Sequence, residues 1–373
     1  MNNPFTNLFS SFFAPKEVSV LGIDLGPSSV KVVQLKKKGG KAVLETYGEL
    51  SLGTYAGTDT GRSTVLGTDK LALAVKDLLK ESNTTTLNSG MSIPIGSSLI
   101  TFIKLPTTDE RQLAEMVPME ARKYIPVPIS EVSVDYWPIP KDETTISEFQ
   151  NGQKVEASKE TEVLLVVIHN DAINKNNDIQ KLVGLNNTFS EIEIFSCMRA
   201  MLETSIAPQM IVDFGSNSTK AFVVEKGILR TSHIINRGAQ DITLAISKSL
   251  GISFEEAEKI KRMQGIVSEA GSDKNILEVS SVTLDFILSE ISRVLTNYYR
   301  KNGKKVSKVT LTGGGALLKG LREKAQLSFE TPVELANPFS KVEYPAFLEE
   351  VLKDAGPEFA VAIGLAIRKL QEI

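Results

Sequence analysis

A ten-residue pattern near the start of the chain returns near its middle. Gly22-Ile-Asp-Leu-Gly-Pro-Ser-Ser-Val-Lys31 aligns with Ile211-Val-Asp-Phe-Gly-Ser-Asn-Ser-Thr-Lys220 at a constant offset of 189 residues, pairing Asp24 with Asp213, Gly26 with Gly215, Ser29 with Ser218 and Lys31 with Lys220. The offset is close to half of the 373 residues, which implies a duplicated domain. The length alone exceeds that of a single core and calls for two domains. Each copy begins with a β-branched run (residues 18–25 and 210–214), turns at glycine and small polar residues, and resumes as a strand (30–35 and 219–224). Each is expected to be a hairpin and not a strand-to-helix phosphate loop.

The residue types say what such hairpins can hold. Gly26 and Gly215 let the backbone come close to a ligand, consecutive turn amides form an anion-binding concavity, and the hydroxyls of Ser28, Ser29, Ser216 and Ser218 add donors. Asn217, Lys31 and Lys220 complete the candidate set. Two such hairpins facing each other could clamp a polyphosphate. Asp24 and Asp213, each ending a first strand, suit a hydrated divalent ion beside phosphates, so they are the candidate contacts to Mg2+ through water. One copy alone would read as a tight Asp-x-Gly turn; two copies at one offset point to a shared task.

A third element follows at residues 309–321, where a β-branched run enters Gly313, Gly314 and Gly315 and continues as a helical pattern through Leu317. Successive glycines let backbone lie flat against a planar ring or a ribose.

Composition narrows the alternatives. A net charge of -3 without a basic stripe argues against a nucleic-acid partner. Cys197 is the single cysteine and the two histidines stand 64 positions apart, so neither a disulfide nor a metal cluster is expected, and a reducing cytoplasmic setting fits. The longest apolar stretch, 163–168, is far short of the about 20 residues of a membrane span. The start of the chain lacks the features of a secretory signal, although Phe5, Leu8, Phe9, Phe12 and Phe13 fall at roughly helical spacing and could touch a lipid surface or a partner groove.

Two phosphate hairpins followed by a Gly-rich adenosine turn, in this order, resemble the actin, Hsp70 and sugar-kinase superfamily. Within it, Ile252-Ser-Phe-Glu-Glu-Ala-Glu-Lys-Ile-Lys261 resembles the helix that supplies adenosine contacts in the bacterial actin relatives FtsA, MreB and PilM, which would place Glu258 and Lys261 at the ribose and base. Spacing alone makes the same two residues a surface i,i+3 pair. Residues 120–128 with 134–137, and the ending Glu358-Phe-Ala-Val-Ala-Ile-Gly-Leu-Ala-Ile-Arg368, are similar to stretches typical of the PilM family of type IV pilus assembly. Read plainly, the first is a helix stopped by proline and the second an Ala- and Gly-faced helix that packs closely.

The resemblance implies an α/β, actin-like (ribonuclease H-like) duplicated two-lobe fold. Residues 1–17 would be a tail, 18–207 lobe 1 with an inserted subdomain at about 91–167, 208–345 lobe 2, and 346–373 a C-terminal helix returning to lobe 1. Residues 141–162 read as a long exposed hairpin inside the insertion, and 54–69 as a Gly/Thr-rich loop. The resemblance further implies ATP or ADP with Mg2+ in the interlobe cleft. It also implies a cytoplasmic scaffold, peripheral to the inner membrane through its partners. Its partner would be the N-terminal tail of a PilN-like inner-membrane protein, docked beside the insertion; pilus assembly ATPases and oligomer formation are further contacts open to it.

Two features bear on turnover. Pro27 stands where relatives place Ser or Gly and offers no N–H to the terminal phosphate, so ADP should bind nearly as well as ATP. Glu193, ahead of residues 194–199, is the one candidate for positioning a hydrolytic water, though a solvated charge at a helix start is the plainer reading. Hydrolysis should therefore be slow, with the nucleotide acting as a cofactor that sets lobe closure. The rival readings are an FtsA-like cell-division filament protein and a small-molecule kinase. The chain ends within about five residues of its last core helix, without a separate membrane helix, which speaks against the first. No aspartate base or polar substrate pocket can be placed for the second.

Overall fold

The computed structural model describes residues 18–140, 149–150, 153–154, 160–203, 205–267 and 274–372; the apolar N-terminal stretch at Phe5 to Phe13 lies outside them. In chain order the main elements are β1 (Ser19–Leu25), β2 (Ser29–Lys38), β3 (Lys41–Ser51), α1 (Thr68–Glu81), β4 (Asn88–Ile93), β5 (Ser98–Leu105), α2 (Glu110–Ala121), β6 (Val132–Pro138), β7 (Phe149–Gln150), β8 (Gln153–Lys154), β9 (Thr161–His169), α3 (Asn170–Val183), β10 (Asn186–Ile192) and α4 (Glu193–Met201). The second half continues with β11 (Gln209–Phe214), β12 (Thr219–Glu225), β13 (Ile228–Ile235), α5 (Ala239–Leu250), α6 (Phe254–Gln264), α7 (Lys274–Asn302), β14 (Val309–Thr312), α8 (Leu321–Ser328), β15 (Val333–Leu335), α9 (Glu349–Ala355) and α10 (Ala360–Gln371).

The repeat in the sequence is a repeat of topology. One sheet runs β3-β2-β1-β4-β10 and the other β13-β12-β11-β14-β15. In each, three antiparallel strands are followed by two parallel to the first. The registers coincide as well, for Asp24 sits across from Lys31 and Asp213 across from Lys220.

Both faces of the first sheet are covered, which is why β1 reads as a nearly continuous apolar run. Leu21 and Ile23 pack with α1 residues such as Leu71 and Val75 on one face. Val20 joins Ala362, Ile363 and Ala366 of α10 on the other. Here glycine is required: a Cβ on Gly22 would lie 1.9 Å from the Ala362 carbonyl oxygen, and a Cβ on Gly364 would lie 1.9 Å from that of Ser196 in α4. The close packing expected of an Ala- and Gly-faced ending thus has named partners on both sides of α10.

Between β4 and α3 the first half carries an inserted three-stranded antiparallel sheet, order β5-β9-β6. The sheet starts at Ser98; Met91 and Ile93 belong to β4 of the main sheet, where Met91 pairs with Ile23 of β1 and Ser190 of β10, and Ile93 with Ile192 of β10. Strand β9 is buried on both faces. Val163, Leu165 and Val167 pack on α2, while Leu164 and Val166 share a core with Ile194, Ile211, Phe222 and Leu365. The apolar stretch 163–168 is therefore a central strand, and the insertion is fused to both lobes through that shared core. Of the hairpin expected at 141–162, β7 and β8 pair antiparallel and most of the rest lies outside the described residues.

Candidate functional site

The turns of the two hairpins line one cleft of about 340 Å3 between the sheets. Asp24, Gly26, Ser28, Ser29, Lys31, Glu193, Asp213, Gly215, Ser216, Lys220, Glu258, Lys261, Gly313, Gly314, Gly315 and Leu317 all face it. Asn217 and Ser218 do not line it. Asn217 instead accepts from Gln240 Nε2 at 2.8 Å, and the Ser218 carbonyl accepts from the Gly215 amide at 3.0 Å.

In both copies the turn itself requires the glycine. A Cβ on Gly215 would stand 2.9 Å from Ser218 O, and one on Gly26 would stand 2.8 Å from Ser29 O. The glycines close the turns. Similarly, of the triple glycine, Gly313 (φ +82°) backs onto Asp213 and Phe214, and Gly315 packs against the Phe214 ring; Gly314 alone has ordinary room, with a Cβ 3.5 Å from Glu358.

The duplicated Asp–Lys pairs have diverged. In the second copy Lys220 Nζ donates to Asp213 Oδ2 at 2.9 Å and to Glu193 Oε2 at 2.8 Å. These two carboxylates outweigh burial and hold the ammonium well above its ordinary range. In the first copy Lys31 turns to Glu49 (3.0 Å) and Ser29 Oγ (2.7 Å). Burial then pushes Asp24 up to about 6, against the pull of Lys31.

Glu193 opens α4 but is not a solvated charge. Its side chain is 14% exposed, its Oε1 accepts from the Ile95 amide at 2.8 Å and its Oε2 from Lys220. The pair Glu258 and Lys261 is likewise buried, at 2.6 Å, with Thr243 Oγ1 and Arg262 Nε also donating to the Glu258 carboxylate. Spacing alone makes them a surface pair; α6 instead turns this face toward α5 and the cleft.

Sequence reasoning missed several residues that line the cleft. Glu49 is the cross-strand partner of Lys31 on β3, a pairing readable once the β2–β3 hairpin is drawn in register. Glu358 heads the segment that carries the family likeness and meets Glu49. Burial, then the charge of Glu49, pushes Glu358 up to about 7, whereas Lys31 and Ser29 overcome burial to hold Glu49 at about 2. One proton is shared between the two carboxyls. Cys197 also lines the cleft, and burial keeps its thiol well above its ordinary value. The loop expected at 54–69 crosses from lobe 1 to lobe 2: Ser63 Oγ lies 3.0 Å from Ser216 Oγ and its amide donates to Gln240 Oε1 at 3.1 Å.

The pair has a stability consequence. A carboxyl whose folded pKa is raised binds its proton more tightly when folded, so stability falls as pH rises from about 4.5, the unfolded value, to about 7. Glu358→Gln keeps a donor toward Glu49 and removes the charge. It should flatten this part of the pH–stability curve and stabilise the protein by about 2 kcal/mol at pH 8, read by denaturant titration at pH 5 and pH 8. An unchanged slope would show that the pair shares no proton.

With the geometry in place, comparison with known proteins decides the family. The sequence model of the type IV pilus assembly protein PilM family matches residues 22–370. The chain belongs to this family. A solved PilM-PilN type IV pilus biogenesis complex superposes on this PilM family member with a TM-score of 0.75 at 23% identity, covering 95% of this chain and 99% of that one. MreB5 of Spiroplasma citri bound to AMPPNP follows at a TM-score of 0.52 and 15% identity, covering 96% and 98%. The ethanolamine utilization protein EutJ of Carboxydothermus hydrogenoformans reaches 0.53 at 16%, covering 95% and 90%. The fold is therefore the actin-like α/β fold in two lobes. Among curated sequences, the cell division protein FtsA of Neisseria meningitidis is 30% identical over 175 residues, 42% of this chain and 41% of that protein. FtsA of Helicobacter pylori is 28% identical over 182 residues, covering 42% and 36%. The chain thus spans about two fifths of the FtsA proteins it matches. No helix among the described residues is long and apolar enough to cross a membrane.

Proposed function

We propose that this PilM family member is a nucleotide-binding scaffold of the inner-membrane platform that assembles a type IV pilus. It holds ATP or ADP with Mg2+ between its lobes and a PilN-like protein's N-terminal tail at its insertion. The observation that carries the nucleotide reading is the convergence of both hairpin turns, the Gly313–Gly315 turn and the Glu258–Lys261 helix on one cleft.

The residues fit such a ligand. Lys31, Lys220 and the turn hydroxyls would take the phosphates, and Gly314 leaves room for the adenosine. Among the described residues no group of three or more His, Cys, Asp or Glu is placed to hold a metal by itself. Mg2+ would therefore be held mainly by phosphates and water, with Asp24 and Asp213 behind the water, and would neutralise phosphate charge. Glu193, with both oxygens engaged, is bound too firmly to act as a ready base, and Pro27 supplies no amide. Both favour slow turnover over rapid hydrolysis. Setting lobe closure, and with it partner affinity, is the role these features leave for the nucleotide. Cytoplasmic residence, peripheral to the inner membrane through the partner, belongs to this reading.

For the tail, the edge strand β6 is the proposed dock. It lies beside α4 of lobe 1, and its Trp137 is 49% exposed with its ring 6.2 Å from that of Phe195. An added strand would gain backbone hydrogen bonds there while its side chains fill the space toward lobe 1. Deleting the insertion would be a poor test, because the core it shares with both lobes would be laid open. Trp137 is the chain's single tryptophan and reports directly. Titration with a synthetic N-terminal peptide of the PilN-like protein should change its fluorescence saturably. Calorimetric binding without a fluorescence change would put the dock elsewhere, and no binding at all would defeat the scaffold reading.

A further inference from the structure

A second cavity of about 380 Å3 lies away from the nucleotide cleft, between the inserted sheet and lobe 2. Phe102 of β5 and Glu162 of β9 form one wall; Arg230 of β13 and Asn297 and Lys301 of α7 form the other.

Its charges are unevenly satisfied. Glu225, at the end of β12, is buried and already occupied: Oε2 accepts from Tyr298 Oη at 3.0 Å and Oε1 from Lys304 Nζ. Arg230 is held only by two longer ion pairs. Its Nε is 3.7 Å from Glu225, too far for a hydrogen bond, and among the described residues it has no hydrogen-bond partner although the atom is buried. Its Nη1 reaches Glu162 Oε2 only at 3.5 Å, the outer limit. A guanidinium offers five donors in a planar fork, so most of this one's capacity is unused. Lys301 meets no acceptor among the described residues. Arg230, Lys301 and Lys304 outnumber Glu162 and Glu225, so the cavity carries excess positive charge.

A buried guanidinium N–H without an acceptor is rare because its desolvation is uncompensated, and here only Arg230 Nε is such a group, for Lys301 reaches the cavity from the exposed face of α7. We propose that this cavity is a ligand site for a small oxyanion, a phosphate or a carboxylate, bound by Arg230 and Lys301 in place of Glu162. A planar fork beside an ammonium is the arrangement that recognises such groups. Because Glu162 belongs to the insertion whereas Arg230 and Lys301 both belong to lobe 2, the bound anion would take the place of the ionic tie between those two parts and leave Glu162 without it. The site stands independently of the nucleotide reading.

The test uses the full chain labelled with 15N-arginine. The Nε–Hε resonance of Arg230 is assigned by its loss in Arg230→Lys, and sodium phosphate, sodium glutarate and sodium chloride are titrated at matched ionic strength. The expected result is a saturable shift with phosphate or glutarate in the millimolar range and none with chloride. Glu162→Gln, which removes the competing carboxylate, should tighten binding several-fold; Lys301→Gln should weaken it about tenfold. Preference for phosphate identifies a phosphate or its ester as the ligand class, and preference for glutarate a carboxylate. A shift that chloride reproduces, or an affinity indifferent to both Glu162→Gln and Lys301→Gln, overturns the proposal.

Discussion

Gly364→Val is expected to cost the protein its cooperative fold. The helix α10 is held between β1 and α4, with Gly22 facing the Ala362 carbonyl and Gly364 facing the Ser196 carbonyl. Overpacking usually costs about 1–3 kcal/mol because side chains can shift aside. Here the obstacles are backbone atoms on both sides, so a movement that relieves Ser196 drives α10 into β1. A loss above about 4 kcal/mol is expected, in the range that marks a specific steric failure. Denaturant titration checks it, with Gly96→Ala as the control, since a Cβ there meets nothing within 4 Å. A Gly364→Val midpoint equal to that of the wild type would show that α10 can slide. Such a result would matter for function, because α4 leads from lobe 1 into lobe 2 and α10 packs back against it.

Much of this architecture was legible in the sequence because duplication leaves a signal that does not depend on propensity. Two hairpins at one offset imply two similar sheets, and the observed strand orders and registers match. What the repeat could not convey is divergence after duplication. Lys31 and Lys220 are equivalent by position, yet one pairs with Glu49 and the other with Asp213 and Glu193. Those partners come from β3 and α4, which lie outside the repeated segment. The same limit applies to Glu358, whose neighbour Glu49 is over 300 residues away in sequence. Periodicity also misjudged Glu258 and Lys261. An i,i+3 charged pair looks solvated on an isolated helix, but α6 packs against α5 and the pair is buried with Thr243. The reading of Gly26 and Gly215 lacked a second reason for glycine there: a Cβ at either would meet the carbonyl oxygen that closes its own turn.

Divergence of the two aspartates leads to the largest expected effect on binding. With Mg2+ present, Asp213→Asn should weaken ATP binding by about tenfold to hundredfold, the equivalent of about 1.4 to 2.7 kcal/mol. Without Mg2+ it should weaken binding little, because a lost carboxylate also relieves repulsion of the phosphates. Asp24→Asn should do less at pH 6, since burial already leaves that carboxyl about half protonated there, and more at pH 8. Gly314→Val supplies the contrasting case. Its Cβ has ordinary room beside Glu358, so the turn should survive while the valine methyls fill the space assigned to the adenosine. That variant should lose affinity equally with and without metal. Calorimetric titration of the wild type and the three variants with ATP, each with and without Mg2+, separates these outcomes, and melting temperatures without ligand confirm that each variant is folded. Removing one of Lys220's two carboxylates should lower the melting temperature of Asp213→Asn, but Glu193 still holds the ammonium at 2.8 Å, so the cleft should persist. If a folded Asp213→Asn protein binds ATP as the wild type does with Mg2+, the metal does not sit at the second hairpin. If folded Gly314→Val also binds normally, the adenosine does not lie at the glycine turn.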